Sequence, residues 1–176
     1  PPLDSLGPLH WRPVAAPEWS LADVRNQPRS LSNYRGKPVV MIFYLGFGCL
    51  HCAEQLQKFA PETEKFRQAG IDVIAVSTDK QELLDRAYKD LENGFPFPLV
   101  SDAELNVFKR YRCYDDFEKQ PLHGTFLIDG AGRIRWQDIS YEPFMDPDFV
   151  LKEAKRLLGQ DAAGSTPLPE QVTATE

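Results

Sequence analysis

The feature that most constrains the fold is a strand, loop, helix and strand pattern in the first half of the chain. Val39–Tyr44 is a continuous β-branched and aromatic run, typical of a strand that is buried on both faces of a sheet. After the loop Gly46-Phe47-Gly48, apolar residues recur at helical spacing from about Cys52 to Ala69, and Ile71–Val76 is a second strand-like run. This order predicts a β-α-β unit with parallel strands and a right-handed crossover.

The rest of the chain continues this alternation. Three further helices each begin at an aspartate that suits an N-cap: Asp79 to about Glu92, Asp102 to about Tyr111, and Asp146 to about Leu158. Three further strand-like runs are Phe97–Val100, Thr125–Ile128 and Arg133–Trp136. Asp129-Gly130-Ala131-Gly132 is a strong hairpin signal between the last two strands. Pro61 is expected to kink or split the first helix.

Length and composition indicate one globular domain with two irregular ends. The chain has 176 residues, of which 42% are hydrophobic, enough for a single core. Residues 1–20 contain five prolines and are expected to form an extended arm, residues 21–158 the domain, and residues 159–176, which lack Lys and Arg, a disordered polar tail. The chain starts at Pro1-Pro2 without Met, so we expect that a signal peptide or upstream domain has been removed. Localisation, cytoplasmic or exported, stays open.

Charge and hydropathy exclude several classes of function. The net charge of −6 argues against a surface for nucleic acid. The longest run of apolar residues and glycine, Val39–Leu50, is shorter than the roughly 18–20 residues that span a bilayer. We therefore expect no nucleic-acid partner and no membrane span, and no motif in the sequence predicts a cofactor.

Two of the three cysteines form the motif Cys49-Leu50-His51-Cys52 at the predicted strand-to-helix turn. A thiol at a helix start faces unpaired backbone N–H groups and the positive end of the helix dipole, and both favour the thiolate. His51 adds a donor that would tune the pair, and the second cysteine is near enough to close a disulfide. The spacing therefore favours a redox-active pair.

Two other interpretations of the pair stay open, a metal site and inert thiols. Zinc needs more ligands, and the remaining Cys and His residues, His10, Cys113 and His123, do not form a second C-x-x-C or an H-x-x-x-H. The metal signal is weak, so no metal ligand is predicted. Cys113 is expected to be a half-buried structural residue, with a resolving role as the less favoured alternative.

Together these residues resemble the thioredoxin fold, and within it the redoxin or AhpC/TSA (peroxiredoxin-like) branch, over about Leu21 to Leu158. The matching segments are Gly36–Tyr44, Ile71–Asp79, Phe97–Asp102, and Gly124–Asp129 with Gly132. The resemblance implies an α/β fold with a central mixed sheet flanked by helices on both faces. It also implies an oxidoreductase with antioxidant activity.

The chain departs from the peroxiredoxin pattern at the active turn. Aligned on Phe43-Tyr44, the motif P-x-x-x-T-x-x-C places Leu45 at the Pro, Cys49 at the Thr and Cys52 at the peroxidatic Cys. The family segment R-G-x-F-x-I-D corresponds to His123 and the residues after it, so His123 replaces the Arg. The resemblance implies that Cys49, Cys52 and His123 are site residues, and the motif itself adds His51.

Three functional hypotheses follow. In the leading one, a thiol-disulfide oxidoreductase, the Cys49 thiolate attacks a protein or small-molecule disulfide, Cys52 resolves the mixed disulfide, and His51 tunes the pair. In the second, a thiol peroxidase, peroxide oxidises Cys52, Cys49 resolves it, and His123 stands in for the Arg. The third is a non-enzymatic redoxin-like module of a larger protein.

Overall fold

The structure is a computed structural model that describes residues 12–89 and 94–164. Its strands are β1 (Val14–Ala15), β2 (Ser20–Asp23), β3 (Pro28–Ser30), β4 (Val39–Tyr44), β5 (Asp72–Ser77), β6 (Leu99–Ser101), β7 (Tyr114–Asp115), β8 (Gln120–Pro121), β9 (His123–Ile128) and β10 (Arg133–Ser140). Its helices are α1 (Leu50–Gln68), α2 (Gln81–Lys89), α3 (Asn106–Arg110) and α4 (Pro147–Gly164), with a 3-10 helix at Leu31–Tyr34.

Within this described part, eight strands form one mixed sheet in the order β1-β10-β9-β4-β5-β6-β2-β3. β4 and β5 pair in parallel from Val39 opposite Asp72 to Tyr44 opposite Ser77, which confirms the predicted β-α-β unit. β9 runs antiparallel to β4, with Phe43 opposite Gly124, and continues through the predicted hairpin into β10. Because β4 and β9 run in opposite directions, the end of β4 lies beside the start of β9.

Alternate residues of β4 belong to two cores on opposite faces of the sheet. Val40, Ile42 and Tyr44 pack with buried side chains of α1, α2 and α4. Val39, Met41 and Phe43 pack against α3 and the 3-10 helix. All six residues of β4 are fully or almost fully buried, as the unbroken apolar run predicts. The predicted α/β, thioredoxin-like architecture with helices on both faces is confirmed.

Several local predictions were wrong. Pro61 does not split α1, which continues to Gln68, while the alternative of a kink at Pro61 stays a prediction. α4 continues to Gly164, so residues 159–164, predicted as part of the disordered tail, are helical. An interior glycine costs a helix only about 1 kcal/mol, so Gly159 is a weak stop signal.

The predicted end regions are only partly described. Residues 1–11 and 165–176, and the end predicted for the second helix at residues 90–93, lie outside the described residues. In the described part of the arm, Val14–Ala15 pairs with β10 at the sheet edge. Among the helices that are described, none is both long and apolar enough to cross a membrane.

Candidate active site

The two cysteines lie where β4 turns into α1. Cys49 is the N-cap residue of α1, and its Sγ accepts a hydrogen bond from the Cys52 backbone N–H at 3.4 Å. The Cys52 Sγ accepts one from the Leu45 backbone N–H at 3.3 Å. Cys49 is half-buried, whereas Cys52 has no exposed surface. Cys49 is thus the outer and Cys52 the inner sulfur of the site.

His123 reaches the inner sulfur from the neighbouring strand. The β4–β9 register brings the start of β9 beside the end of β4, and His123 Nε2 lies 3.1 Å from Cys52 Sγ. The other ring nitrogen, Nδ1, lies 2.8 Å from the Tyr141 carbonyl oxygen. A carbonyl only accepts, so Nδ1 carries the proton and Nε2 of the neutral ring has a free lone pair. His123 is therefore placed to accept the Cys52 thiol proton.

Burial keeps both groups neutral at rest. It raises the pKa of the Cys52 thiol to about 12, and the adjacent Cys49 sulfur adds to that increase. Burial also lowers the pKa of His123 below its ordinary value of 6.5. The expectation that the helix start makes the pair acidic is therefore wrong for Cys52, because desolvation outweighs the hydrogen bond from Leu45. A proton acceptor beside Cys52 would favour its ionisation, and Nε2 of His123 lies at that position.

The side chains of Cys49, Cys52 and His123 form one compact cluster. The two Sγ atoms and a ring nitrogen of His123 all lie within 4.8 Å of one another, and both cysteines are free thiols. Cys113 is fully buried in the core on the opposite face of the sheet, with Met41 and Phe43. Burial raises the pKa of Cys113 as well. Cys113 is therefore more deeply buried than predicted, and its structural role stays a prediction.

His51 is an exposed residue of the cysteine motif that contacts Glu142. Its Nδ1 is 3.5 Å from the Glu142 carboxylate, and 59% of its side chain is exposed. Its nearby charge lowers the pKa of His123 slightly further, after burial. A tuning role for His51 stays a prediction.

The loop after β10 holds the histidine in place. The Tyr141 carbonyl accepts a hydrogen bond from Nδ1 of His123. The Phe144 carbonyl accepts one from the buried side-chain amide of Gln55 at 3.1 Å. The same amide lies 3.4 Å from the Thr125 hydroxyl on β9. Sequence analysis missed Gln55, although a polar residue one turn after Cys52 on the buried face of α1 is a signal that could have found it.

Asp79 supports the cysteine loop instead of capping α2, so its predicted role as an N-cap was wrong. Its carboxylate accepts from the Phe47 backbone N–H at 2.9 Å, while the Lys80 carbonyl accepts from the N–H groups of Leu83 and Leu84 in α2. Gly46 has φ +89°, and a Cβ there would lie 2.8 Å from the Asp79 carboxyl carbon. The carboxylate and the bare glycine fit together and fix the loop that carries Cys49.

We expect Gly46→Ala to destabilise the protein by about 1–3 kcal/mol, since it combines a left-handed backbone with the contact to Asp79. Urea unfolding measures this loss. Gly48→Ala is the matched control: a Cβ at Gly48 meets no atom within 4 Å, so its loss should be much smaller. Equal losses in the two variants would contradict the fit between Gly46 and Asp79.

The sequence profile described as "AhpC/TSA family" matches residues 14–137, well over half of the chain. The chain belongs to the AhpC/TSA family. Peroxiredoxin Q from the chloroplast of Sedum lineare is 32% identical over 143 residues, which cover 81% of this chain and 74% of that protein. The family and its relatives identify the protein as a cysteine-based redox enzyme, as predicted.

Solved structures of similar proteins support the fold. The crystal structure of peroxidoxin BcpB from Mycobacterium tuberculosis has a TM-score of 0.73 at 22% identity, covering 82% of this chain and 96% of that one. The AhpC structure from Enterococcus faecalis has a TM-score of 0.79 at 13% identity, covering 89% and 98%. At these identities, the likeness establishes the shared fold alone.

Proposed function

We propose that this AhpC/TSA family member is a thiol peroxidase in which Cys52 reacts with peroxide and Cys49 resolves the product. The observation that carries the proposal is the 3.1 Å contact between Cys52 Sγ and the unprotonated Nε2 of His123. A base fixed in one tautomer beside a buried thiol is the arrangement that activates a nucleophile. The family relatives, which are named as peroxiredoxins, support peroxide as the substrate.

In the first step, Nε2 of His123 takes the proton of the Cys52 thiol, and the sulfur attacks one peroxide oxygen. The O–O bond breaks, and the leaving oxygen receives the proton from His123 as water or an alcohol. Cys52 becomes a sulfenic acid. The thiolate is paired with the imidazolium during this step, so no lone charge is left in the buried site.

In the second step, the Cys49 sulfur attacks the Cys52 sulfenic sulfur, which forms the disulfide and releases water. The two sulfurs start within 4.8 Å of each other, and residues three apart at a helix start can reach disulfide geometry with a small local movement. A thiol reductant then returns the disulfide to the dithiol. Because Cys49 is half-buried and Cys52 fully buried, we expect this reductant to attack Cys49.

The second candidate function is disulfide exchange without peroxide, in which Cys49 is the attacking thiolate. It is favoured by the outer position of Cys49 and by Leu50, which is 74% exposed beside it and suits contact with a partner protein. This function uses the same disulfide but needs no base at Cys52. The two candidates therefore differ in which sulfur reacts first.

The variant Cys49→Ser tests the order of the two sulfurs. We expect it to react with one equivalent of peroxide at close to the wild-type rate and to stop at the Cys52 sulfenic acid, because the resolving sulfur is missing. Trapping with a sulfenic-acid reagent and peptide mass spectrometry identifies the oxidised residue. Loss of the rapid reaction in this variant would instead favour Cys49 as the first nucleophile.

A further inference from the structure

The cluster that supports the redox chemistry also has the composition of a metal site. Two thiol sulfurs and one imidazole nitrogen converge within 4.8 Å of one another. The sequence spacing did not predict this, because His123 is 71 residues from Cys52 and is brought to it only by the β4–β9 pairing. Two sulfurs and one nitrogen are a soft donor set of the kind that binds zinc.

The geometry of the cluster is close to that of a tetrahedral ion. With ordinary Zn–S and Zn–N bond lengths, two tetrahedral sulfur ligands lie about 3.8 Å apart and a sulfur and a nitrogen about 3.5 Å apart. The Cys52 Sγ to His123 Nε2 distance is 3.1 Å, and the other separations are no more than 4.8 Å. Small side-chain rotations would therefore bring all three atoms to one ion.

Hydrogen bonds around the three atoms already suit a bound cation. Nδ1 of His123 donates to the Tyr141 carbonyl, which leaves Nε2 as the atom that faces the sulfurs. Backbone N–H groups of Leu45 and Cys52 donate to the two sulfurs and would stabilise their thiolate forms. Outer hydrogen bonds of this kind orient ligands in metal sites.

We propose that the reduced protein binds one Zn²⁺ through Cys49 Sγ, Cys52 Sγ and His123 Nε2, with water at the fourth position. Each thiol loses its proton on binding, so up to two protons are released, and the two thiolates neutralise the ion inside the buried site. No electron is transferred. Because Cys49 is half-buried and Cys52 is buried, we expect the ion to enter from the side of Cys49.

The proposed site and the redox cycle exclude each other. A disulfide between Cys49 and Cys52 removes both thiolate ligands, so only the reduced protein binds the ion. Bound zinc occupies the sulfur lone pairs and the histidine nitrogen, so it blocks the reaction with peroxide. This consequence alone rests on the proposed peroxidase function; the binding site does not.

The experiment is a titration of the full-length reduced protein with Co²⁺ under anaerobic conditions, followed by displacement with Zn²⁺. We expect one ion per chain, sulfur-to-cobalt charge-transfer absorption, and proton release. Cys49→Ser, Cys52→Ser and His123→Gln should each weaken binding by at least roughly 100-fold, since each removes a ligand. Cys113→Ala is the matched control and should bind as the wild type does, because Cys113 lies on the other face of the sheet.

The oxidised wild-type protein is a second control, since it needs no substitution, and it should not bind the ion. Binding that is equally tight after oxidation, or in His123→Gln, would overturn the proposed ligand set. Absence of binding in a reduced protein that consumes peroxide would refute the metal site and leave the peroxidase intact. Conversely, tight binding by a protein that is inert to peroxide without metal would refute the peroxidase and leave the site standing.

Discussion

The variant Cys52→Ser is expected to lose the rapid reaction with peroxide by more than roughly 1,000-fold, the scale seen when a nucleophile is removed from an active site. Serine is close in size to cysteine, but its hydroxyl is a far weaker nucleophile and does not form a stable oxidised product with peroxide. The measurement is the single-turnover rate of peroxide loss with fully reduced protein. The variant should keep the wild-type fold, which circular dichroism checks.

Cys113→Ala is the matched control for this loss. Cys113 is as fully buried as Cys52 but lies in the other core and has no base beside its sulfur among the described residues. The variant Cys113→Ala should therefore react with peroxide at close to the wild-type rate. A rapid reaction that survives in Cys52→Ser and disappears in Cys49→Ser would reverse the assignment of the two sulfurs.

The second large effect is expected in His123→Gln, which keeps a polar side chain but removes the base. General-base catalysis contributes roughly 100- to 10,000-fold, so we expect a loss in that range at pH 7. The loss should shrink as pH rises, because hydroxide then replaces the missing base and the variant must ionise a thiol whose pKa burial raises to about 12. Rates of peroxide reaction between pH 5 and pH 10 measure both features.

The wild-type rate should level off at a much lower pH than the rate of the variant. A protonated Nε2 cannot accept the thiol proton, so the rate should fall as pH falls through the pKa of His123, which burial places below 6.5. Above that point the rate should be nearly constant across neutral pH. His51→Gln is the comparison variant: its exposed ring pairs with Glu142, and we expect a change of less than about tenfold. A wild-type rate that climbs steadily from pH 6 to pH 9 would contradict a role for His123 as the base.

The strand pattern of the sequence was a good guide to the fold. The apolar run of β4, the helical spacing of α1 and the glycine-rich hairpin before β10 are local signals, and each appears in the structure near its predicted position. Asp146 caps α4 as predicted, since its carboxylate accepts from the Phe149 N–H. Asp102 is not the N-cap residue of α3, which is Leu105, but its carboxylate still accepts from the first N–H groups of that helix. These features depend on neighbouring residues, which the sequence shows directly.

The arrangement of the site was harder to predict from the sequence than the fold. The pair Cys49 and Cys52 was visible as a motif, and His123 was found only through the resemblance to the family. The contact of His123 with Cys52, and that of Asp79 with Phe47, depend on strand pairing across long stretches of chain. The pKa of Cys52 depends on burial, which a motif at a helix start does not reveal.

The most direct test of the proposed peroxidase compares two second-order rates of thiol loss in the fully reduced protein, one with hydrogen peroxide and one with a small disulfide. Cys52 attack with His123 as base predicts a fast peroxide reaction that ends in a Cys49–Cys52 disulfide, with Cys113 still a thiol. It also predicts slower exchange with the disulfide. Even a small disulfide is larger than hydrogen peroxide, and the Cys52 side chain has no exposed surface. Slow loss with peroxide and fast loss with the disulfide would contradict the account, since the first nucleophile would then be the half-buried Cys49.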